Sequence, residues 1–363
     1  MRVLWVYKVF DVGGAEQLLL EVLPHLAPHV AITPVAVDGS TGAMAERYVH
    51  AGLSPVDLCS SGPYDVAWTA RFRRLVRRLR ADLVHFHSPL PAALGRPAMT
   101  IGGVPTVYTE HNIWPNYVWA TRWANIATYR LDRASIAVSE GVRASQRRSV
   151  ARWFARETRV IRNGIDADAV RRDASPPADF PHPTYGAVGH LRRYKGIDVL
   201  LEAARLISAE ISEARGIVVG GGEDEGALRD LRGQLGLTDT VDFLGVRPDA
   251  RRLMGGLDVF VVPSRQEGLP VALLEAMALE RAVVATSVGG VPEVVQHEVN
   301  GIIVPPEDPG ALAASVLGLL RDRDLAQRLG SAASRTVEER FSSARMAEEL
   351  VQVYRQVLSG PRR

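Results

Sequence analysis

Short apolar runs alternate with amphipathic stretches along the whole chain. The apolar runs are typical of strands buried in parallel sheets, and the stretches between them have the spacing of helices. Predicted helices include residues 15–26, 198–209 and 225–235. The predicted strands are residues 3–7, 31–37, 83–86, 106–108 and 136–138, and then 185–189, 216–220, 241–244, 259–262, 283–285 and 301–304. This pattern predicts an α/β protein with two parallel, Rossmann-like sheets covered by helices.

A proline-rich stretch separates the two halves of this pattern. Residues 173–183 contain four prolines, which cannot continue a helix or a central strand. We therefore predict an N-terminal domain at residues 1–172, a linker at 173–183 and a second domain at 184–341. Residues 342–360 are predicted to form a long amphipathic helix. A length of 363 residues agrees with two domains.

The composition limits which cell compartment and which classes of partner we expect for this chain. A net charge of +2 implies no general polyanion partner. The single cysteine, Cys59, excludes an internal disulfide and favours a reducing compartment. The first apolar run is too short for a signal peptide, and no run approaches the ~18 apolar residues of a membrane span. We expect a cytoplasmic protein that is at most peripheral on the inner face of the membrane.

Two glutamates flank a turn near the C-terminal third. Glu267 is followed by Gly268, Leu269 and Pro270, and Glu275 comes eight positions after the first glutamate. Because an apolar strand precedes this block and a helix pattern follows it, Glu267 is predicted at a strand-to-helix junction. Free N–H groups at the helix start would lie between the two carboxylates. This layout suits a diphosphate between two hydroxylated groups, as in a nucleotide-sugar.

A basic turn follows the first strand of the second half. It contains His190, Arg192, Arg193 and Lys195. Fixed cations at a strand end suit a developing pyrophosphate charge, although a solvated basic turn has the same composition. Of the 43 basic side chains only two are lysines, Lys8 and Lys195. Where arginine is the usual cation, a lysine favours a place that needs a compact ammonium.

Weaker signals follow two strands of the first half. Gly13 and Gly14 open a helix after the first strand, either to approach a ligand or only to form a tight turn. His111 ends the strand at 106–108 and could bond a sugar hydroxyl or lie on a surface loop. A full dinucleotide-binding glycine fingerprint is absent. Asp166 and Asp168 are too few carboxylates to fix a metal, so we expect no metal site.

An arginine-rich stretch runs from Arg71 to Arg80, with apolar residues on one helical face. No acidic residue interrupts residues 66–81. A surface helix packed on the first sheet explains this pattern. The functional hypothesis for the same helix is contact with anionic lipid head groups.

Taken together, these motifs resemble the retaining glycosyltransferases of family 4, which have the GT-B fold. The resemblance spans nearly the whole chain. The Glu267–Glu275 block, with Gly289, Gly290, Pro292 and Glu293 after it, is its most specific part. The other carriers are Gly13 and Gly14, Glu110 to Asn112, Asn163 to Asp166, Lys195 and Gly196, and Asn300 and Gly301.

The resemblance implies two Rossmann-like domains facing across a deep cleft, with the tail helix completing the first domain. It implies that Glu275 binds the nucleotide ribose and Glu267 contacts the transferred sugar. The amides of the Gly268–Leu269–Pro270 segment would meet the diphosphate, and His111 would lie beside the reacting face of the sugar. Family members transfer a sugar from a nucleoside diphosphate with retention and without a metal or other cofactor.

The sequence departs from the family pattern at one position that affects charge, since the family usually has arginine where this chain has His190. A neutral histidine supplies no charge to the leaving diphosphate, so Arg192 or Arg193 would substitute, or His190 would be protonated in the complex.

We expect transfer of a hexosyl group to a hydroxyl acceptor on a glycan, lipid-linked or natural-product precursor. UDP-sugars are the first choice of donor and GDP-mannose the second. The alternatives are a nucleotide-sugar epimerase, a phosphorylase and a non-catalytic sugar-binding protein. No nucleic acid partner is expected.

Overall fold

The alternating pattern forms two parallel β-sheets, each in its own unit of the chain. A computed structural model describes residues 1–11, 13–38, 42–62, 65–114, 117–149 and 157–360. The first unit comprises residues 1–164 together with 343–363, and the second comprises 165–342.

The first unit contains a seven-stranded sheet. Its strands are β1 (Arg2–Tyr7), β2 (Ala31–Asp38), β3 (Val56–Ser60), β4 (Leu83–Phe86), β5 (Thr106–Glu110), β6 (Ala134–Ala137) and β7 (Thr158–Val160). Its first six helices are α1 (Gly14–Leu26), α2 (Ala43–His50), α3 (Trp68–Leu79), α4 (Pro89–Gly102), α5 (Trp119–Thr128) and α6 (Glu140–Ser149). The strand order is β3-β2-β1-β4-β5-β6-β7, which is doubly wound.

The second unit contains a six-stranded sheet in the order β10-β9-β8-β11-β12-β13. Its strands are β8 (Thr184–Val188), β9 (Arg215–Val219), β10 (Val241–Phe243), β11 (Val259–Val262), β12 (Ala282–Thr286) and β13 (Ile302–Val304). Its helices are α7 (Ala167–Asp173), α8 (Ile197–Glu210), α9 (Glu225–Gln234), α10 (Ala250–Gly255), α11 (Val271–Ala278), α12 (Val291–Val294), α13 (Pro309–Arg321) and α14 (Arg323–Arg340). The last helix, α15 (Ser343–Ser359), belongs to the first unit.

Burial explains why the strands read as continuous apolar runs. All four residues of β11 are buried, and five of the six in β1 are buried, because helices cover both faces of each sheet. All eleven predicted strands are confirmed, with ends that move by two residues at most. The two strands that the pattern misses, β3 and β7, lie at the two edges of the first sheet.

The predicted linker at residues 173–183 lies inside the second unit. Its backbone is tied to α10, since Ala178 N–H donates to the carbonyl of Arg252 at 3.0 Å and Arg252 Nε donates to the carbonyl of Pro176 at 3.1 Å. The prolines end α7 and shape a segment that packs on its own unit. The chain passes between the units ahead of this segment, at residues 164 and 165.

The helix α15 joins the first unit through a long-range polar contact. The hydroxyl of Tyr354 accepts a hydrogen bond from Trp5 Nε1 at 3.0 Å, and both side chains are buried. Arg345 also donates to the carbonyl of Arg162 at 2.7 Å. Among the described residues, no helix combines the length and the hydropathy that crossing a bilayer requires.

Candidate active site

The central feature of the second unit is an ion pair between Lys195 and Glu267. Lys195 ends a 3₁₀ turn after β8, and Glu267 follows β11, the strand beside β8 in the sheet. Lys195 Nζ donates to Glu267 Oε1 at 2.7 Å, and Ser264 Oγ donates to the same oxygen at 2.7 Å. Because both donors bind Oε1, Oε2 is the oxygen on which a ligand hydroxyl can bond.

The pair is protected from water, and this strengthens it. Only 7% of the Glu267 side chain and 22% of the Lys195 side chain are exposed. Burial by itself lowers the pKa of the Lys195 ammonium, but the carboxylate of Glu267 more than compensates and the pKa is raised overall. Lys195 is therefore a charged ammonium at neutral pH. One of its three N–H donors is used by Glu267.

Gly196 holds Lys195 against the end of β11. Its φ of +67° is left-handed, and a Cβ there would overlap the carbonyl oxygen of Pro263. The N–H groups of Arg265 and Gln266 donate to the carbonyl of Tyr194 at 2.8 and 3.3 Å. The loops that carry Lys195 and Glu267 are thus bonded to each other by backbone as well as by side chains.

Arg265 braces the same two loops. Its guanidinium donates to both carboxylate oxygens of Asp198 at 2.7 and 2.8 Å, to the carbonyl of Arg193 at 2.7 Å and to Glu307 at 2.9 Å. Hydrogen bonding to Asp198 and Glu307 raises the pKa of this guanidinium. Arg265 therefore positions the basic turn.

Helix α11 begins directly after the ion pair. Pro270 is its N-cap, and Gly268 and Leu269 lead into it. The carbonyl of Gly268 accepts from Gly290 N–H at 2.9 Å. Gly289 has a φ of +53°, and a Cβ there would overlap the carbonyl oxygen of Glu267. The glycine pair thus lets a second loop pass against the backbone of Glu267 and Gly268.

Glu275 lies on α11 and has a cationic partner. Arg251 Nε and Nη2 both donate to Glu275 Oε1, at 2.9 and 2.8 Å, and Arg251 Nη1 donates to Asp173 at 2.8 Å. Both members of the pair are largely buried, with side chains 14% and 13% exposed. The Glu275 carboxylate is therefore held in a fixed orientation. Because α11 rises about 1.5 Å per residue, Glu275 lies roughly 7–8 Å along the helix from Pro270.

The basic turn divides into a cavity side and an outer side. His190, Lys195, Ser264, Glu267 and Pro270 line one cavity at the ends of β8 and β11. Arg192 and Arg193 are exposed, and Arg192 Nε lies 3.5 Å from Glu223. The structure therefore brings His190 together with the Lys195–Glu267 pair, while the two arginines point into solvent.

In the first unit, Gly13 and Gly14 open a helix as predicted, and His111 follows a strand. Gly13 is the N-cap of α1 and Gly14 its first residue. His111 directly follows β5, and its Nε2 lies 3.0 Å from Nδ1 of His87. Burial lowers the pKa of His111 to about 4, so the imidazole is neutral at neutral pH.

Glu110, at the end of β5, is fully buried in a polar cage. The hydroxyl of Tyr108 donates to its Oε2 at 2.8 Å, the hydroxyl of Tyr117 donates to its Oε1, and Asn112 N–H donates to Oε1 at 3.2 Å. Burial raises the pKa of Glu110 to about 7, against the lowering effect of these donors. The cage ties Asn112 and Tyr117 to the strand.

The two aspartates near residue 166 have structural partners. Asp166 is the N-cap of α7, where its Oδ1 accepts from Ala169 N–H at 2.9 Å, and Asp168 pairs with Arg171 at 3.0 Å. Within the described ranges, no cluster of three or more histidine, cysteine or acidic side chains has the spacing of a metal site.

Sequence reasoning missed the partners that hold the site residues. Ser264 lies three positions before Glu267, but a serine in a loop is too common to be a signal. Arg251 and Arg265 are 24 and 67 positions from the carboxylates they bind. His87 follows a buried strand as His111 does, and this position is the sequence signal that could have found it.

Comparisons with known protein sequences match both units of the chain. Residues 12–169 match the model described as Glycosyltransferase Family 4, and residues 182–322 match the model described as Glycosyl transferases group 1. The alpha-maltose-1-phosphate synthase of Mycolicibacterium smegmatis is 30% identical over 312 residues, which cover 76% of this chain and 79% of that protein. The D-inositol 3-phosphate glycosyltransferase of Thermobispora bispora is 29% identical and covers 96% of this chain and 91% of its own length.

Solved structures support the same fold. Anabaena HepE in complex with UDP and glucose matches with a TM-score of 0.86 at 20% identity, over 98% of this chain and all of that chain. Sucrose-phosphate synthase from Thermosynechococcus elongatus matches with a TM-score of 0.80 at 22% identity, over 99% of each chain. The chain therefore belongs to the family 4 type of glycosyltransferases and has the GT-B fold, with one Rossmann-like sheet in each unit.

Proposed function

We propose that this chain is a metal-independent, retaining glycosyltransferase that moves a hexosyl group from a nucleoside-diphosphate sugar to a hydroxyl acceptor. A UDP-sugar is the favoured donor, with GDP-mannose next. The acceptor is a glycan, lipid-linked or natural-product precursor. The complexes of Anabaena HepE with UDP and glucose support the choice of a uridine nucleotide.

The observation that carries this proposal is the Lys195–Glu267 pair at the start of α11. A compact ammonium and the N-terminal amides of a helix stand at one place, and both stabilise a diphosphate. In the proposed reaction, the bond between the anomeric carbon and the diphosphate breaks, and Lys195 stabilises the charge that develops on the leaving oxygen. Oε2 of Glu267 accepts a hydrogen bond from a hydroxyl of the transferred sugar.

Glu275 is proposed to bind the ribose of the nucleotide. Its Oε1 is already oriented by two donors from Arg251, so binding requires little reordering of the side chain. A carboxylate accepts hydrogen bonds from two vicinal hydroxyls, which is the pattern a ribose offers. The two glutamates then hold the two ends of one donor, with the diphosphate between them.

The first unit is proposed to supply the acceptor side, and three of its residues keep the roles that the family resemblance implies. Gly13 and Gly14 bring backbone close to the donor, and His111 bonds the transferred sugar. His190 lines the cavity beside Lys195, where a diphosphate would favour its protonated form. No residue is assigned as a covalent nucleophile. The acceptor hydroxyl attacks from the face that the diphosphate leaves and gives its proton to the departing diphosphate oxygen, which gives retention.

A thermal-shift screen against UDP- and GDP-sugars tests the proposed donor. A ligand present at one hundred times its dissociation constant stabilises the folded state by about 2.7 kcal/mol, so the true donor should raise the melting temperature by several degrees. Glu275→Gln should weaken this shift, and the matched sugar without a nucleotide should give none. If no nucleotide-sugar shifts the melting temperature, the proposal is wrong. Conversion of the donor without acceptor would indicate an epimerase.

We also propose that the first unit contacts an anionic membrane surface through α3. Arg74, Arg77, Arg78 and Arg80 are exposed. Arg71 is not part of this contact, because it donates to the carbonyl of Leu58 and to Asp65 and so faces the sheet. Between α3 and α4 lies a groove of about 480 Å³, lined by Thr69, Ala70, Arg73, Arg74, Arg77, Leu94, Pro97, Ala98 and Ile101. Arginines beside exposed apolar side chains suit lipid phosphates above acyl chains.

Vesicle sedimentation tests the membrane contact. Replacing Arg74, Arg77 and Arg78 by glutamine should lower binding to phosphatidylserine vesicles by about 100-fold, because each arginine contributes about 1 kcal/mol near such a surface. The matched control replaces Arg323, Arg328 and Arg335 by glutamine. These three arginines are exposed on α14 in the second unit. Equal losses in the two variants, or equal binding of the wild type to neutral vesicles, would contradict the proposal.

A further inference from the structure

Three histidines cluster at the carboxyl ends of β4 and β5 in the first unit. His85 lies in β4, His87 follows it, and His111 follows the neighbouring strand β5. Both ring nitrogens of His85 have partners, since Nδ1 lies 2.6 Å from the hydroxyl of Tyr354 and Nε2 lies 2.7 Å from that of Thr109. His85 therefore belongs to the polar core beneath the other two histidines.

His87 connects this core to His111. Its ring stacks on Tyr7, with centroids 5.1 Å apart and planes at 23°, and lies 4.3 Å from Trp5. Only 7% of the residue is exposed. Nδ1 of His87 lies 3.0 Å from Nε2 of His111, while its own Nε2 is buried and has no hydrogen-bond partner among the described residues. Aromatic packing thus fixes the ring that bonds the proposed site histidine.

Both imidazoles are neutral at neutral pH. Burial lowers the pKa of His87 well below its usual value and that of His111 to about 4. The adjacent charged forms of His85 and His111 would lower the pKa of His87 further. One proton is therefore shared across the contact between the two rings, and one nitrogen donates while the other accepts.

The unpartnered nitrogen decides which ring donates. If His111 donated, His87 would carry its proton on Nε2, a buried N–H without an acceptor. If His87 donates from Nδ1, its Nε2 is only a lone pair without a donor. Buried N–H groups without an acceptor are rarer in proteins than acceptors without a donor. The second arrangement leaves His111 with its proton on Nδ1.

We propose that His87 is a positioning residue that donates to His111 Nε2 and so fixes His111 as the tautomer protonated on Nδ1. His111 then offers an N–H donor, and not a lone pair, to a hydroxyl oxygen of the transferred sugar. The second statement rests on the proposed function. The first concerns only the free protein. Under this arrangement His111 is a hydrogen-bond donor to the sugar and does not act as a base.

Nitrogen-15 NMR of the full-length protein with labelled histidine tests the tautomer without any substrate. His111 should show a protonated Nδ1 and an unprotonated Nε2, and His87 should also carry its proton on Nδ1. In His87→Leu the fixed tautomer of His111 should be lost. A proton on Nε2 of His111 in the wild type, or an average of both forms, would overturn the inference even if the enzyme transfers sugar as proposed.

Kinetics test the consequence for the sugar. His87→Leu should lower kcat about tenfold, the effect of one hydrogen bond, with little change in donor KM. His87→Asn places an amide donor near the position of Nδ1 and should recover most of the rate. Tyr354→Phe is the matched control, because it removes the bonds to His85 and Trp5 beneath the cluster and leaves the His87–His111 contact intact. Equal losses of kcat in His87→Leu and Tyr354→Phe would show that the cluster acts only through packing and would reject the positioning role.

The two kinds of failure are distinguishable. If the NMR result is as expected but no nucleotide-sugar is bound or turned over, the proposed function fails and the tautomer assignment stands. If transfer occurs with the opposite tautomer, the proposed function stands and the role of His87 is rejected.

Discussion

Replacing Lys195 by methionine is expected to lower the rate of sugar transfer by about 10²–10³-fold. The ammonium is charged, shielded from water and held 2.7 Å from Glu267, so it can stabilise charge on the departing diphosphate without reorganising. Removing one such preorganised group from an active site typically costs about 3–4 kcal/mol in the transition state. Steady-state kinetics with the donor identified by the thermal-shift screen measure the effect, and thermal unfolding checks that the variant folds.

The matched control is Arg321→Met, which also removes one cation from an ion pair in the second unit. Arg321 bonds Glu210 at 2.8 Å, and both side chains are more than half exposed. Its loss should change the rate by less than twofold. The double variant Lys195→Met with Glu267→Gln separates two roles for the lysine. If the lysine only neutralises the buried carboxylate, the double variant should regain activity. We expect it to stay at least as slow as Lys195→Met.

Replacing Gly289 by alanine is expected to destabilise the second unit by about 2–5 kcal/mol. A left-handed residue with a Cβ costs about 1–2 kcal/mol, and forcing an atom into a packed region costs a further 1–3 kcal/mol. Both apply, since φ is +53° and the Cβ would overlap the carbonyl oxygen of Glu267. Urea unfolding measures the loss. Donor affinity should fall as well, because the displaced backbone carries Glu267 and Gly268.

Two other glycines of the same unit separate the two causes. Gly236 has a φ of +70° but open space around its Cβ position, so Gly236→Ala should cost only about 1–2 kcal/mol. Gly318 lies inside α13 with nothing nearby, and Gly318→Ala should stabilise by about 0.5–1 kcal/mol. If Gly289→Ala costs no more than Gly236→Ala, the close approach to Glu267 is not a constraint.

The fold could be predicted because strands that are buried on both faces have recognisable apolar sequences. β11 is buried on both faces, and so is β1 from Val3 onward, so the sequences there are unbroken apolar runs. β3 escaped prediction because its sequence, Val-Asp-Leu-Cys-Ser, belongs to a half-buried edge strand with polar residues at alternate positions. β7 has only three residues. The segment predicted as a linker lies inside the second unit, because prolines indicate where regular structure stops and not to which unit the segment is bonded.

The candidate site was predictable in its residue types and strand ends but not in its pairs. Lys195 and Glu267 were each singled out, yet nothing local indicates that they bond each other across 72 positions. The same holds for Arg251 with Glu275 and for His87 with His111. Such pairs depend on which strands and helices are neighbours in the fold, and that order is not encoded in the hydrophobic pattern of any one segment.

The placement of α15 has a consequence for the order of events during translation. The second unit is one continuous stretch, residues 165–342, so its strands leave the ribosome in one uninterrupted series. The first unit starts earlier but is finished only when Tyr354 arrives to bond Trp5 and His85. Until then those buried polar groups have no partner from α15. The half of the enzyme that is synthesised first is therefore the half that matures last.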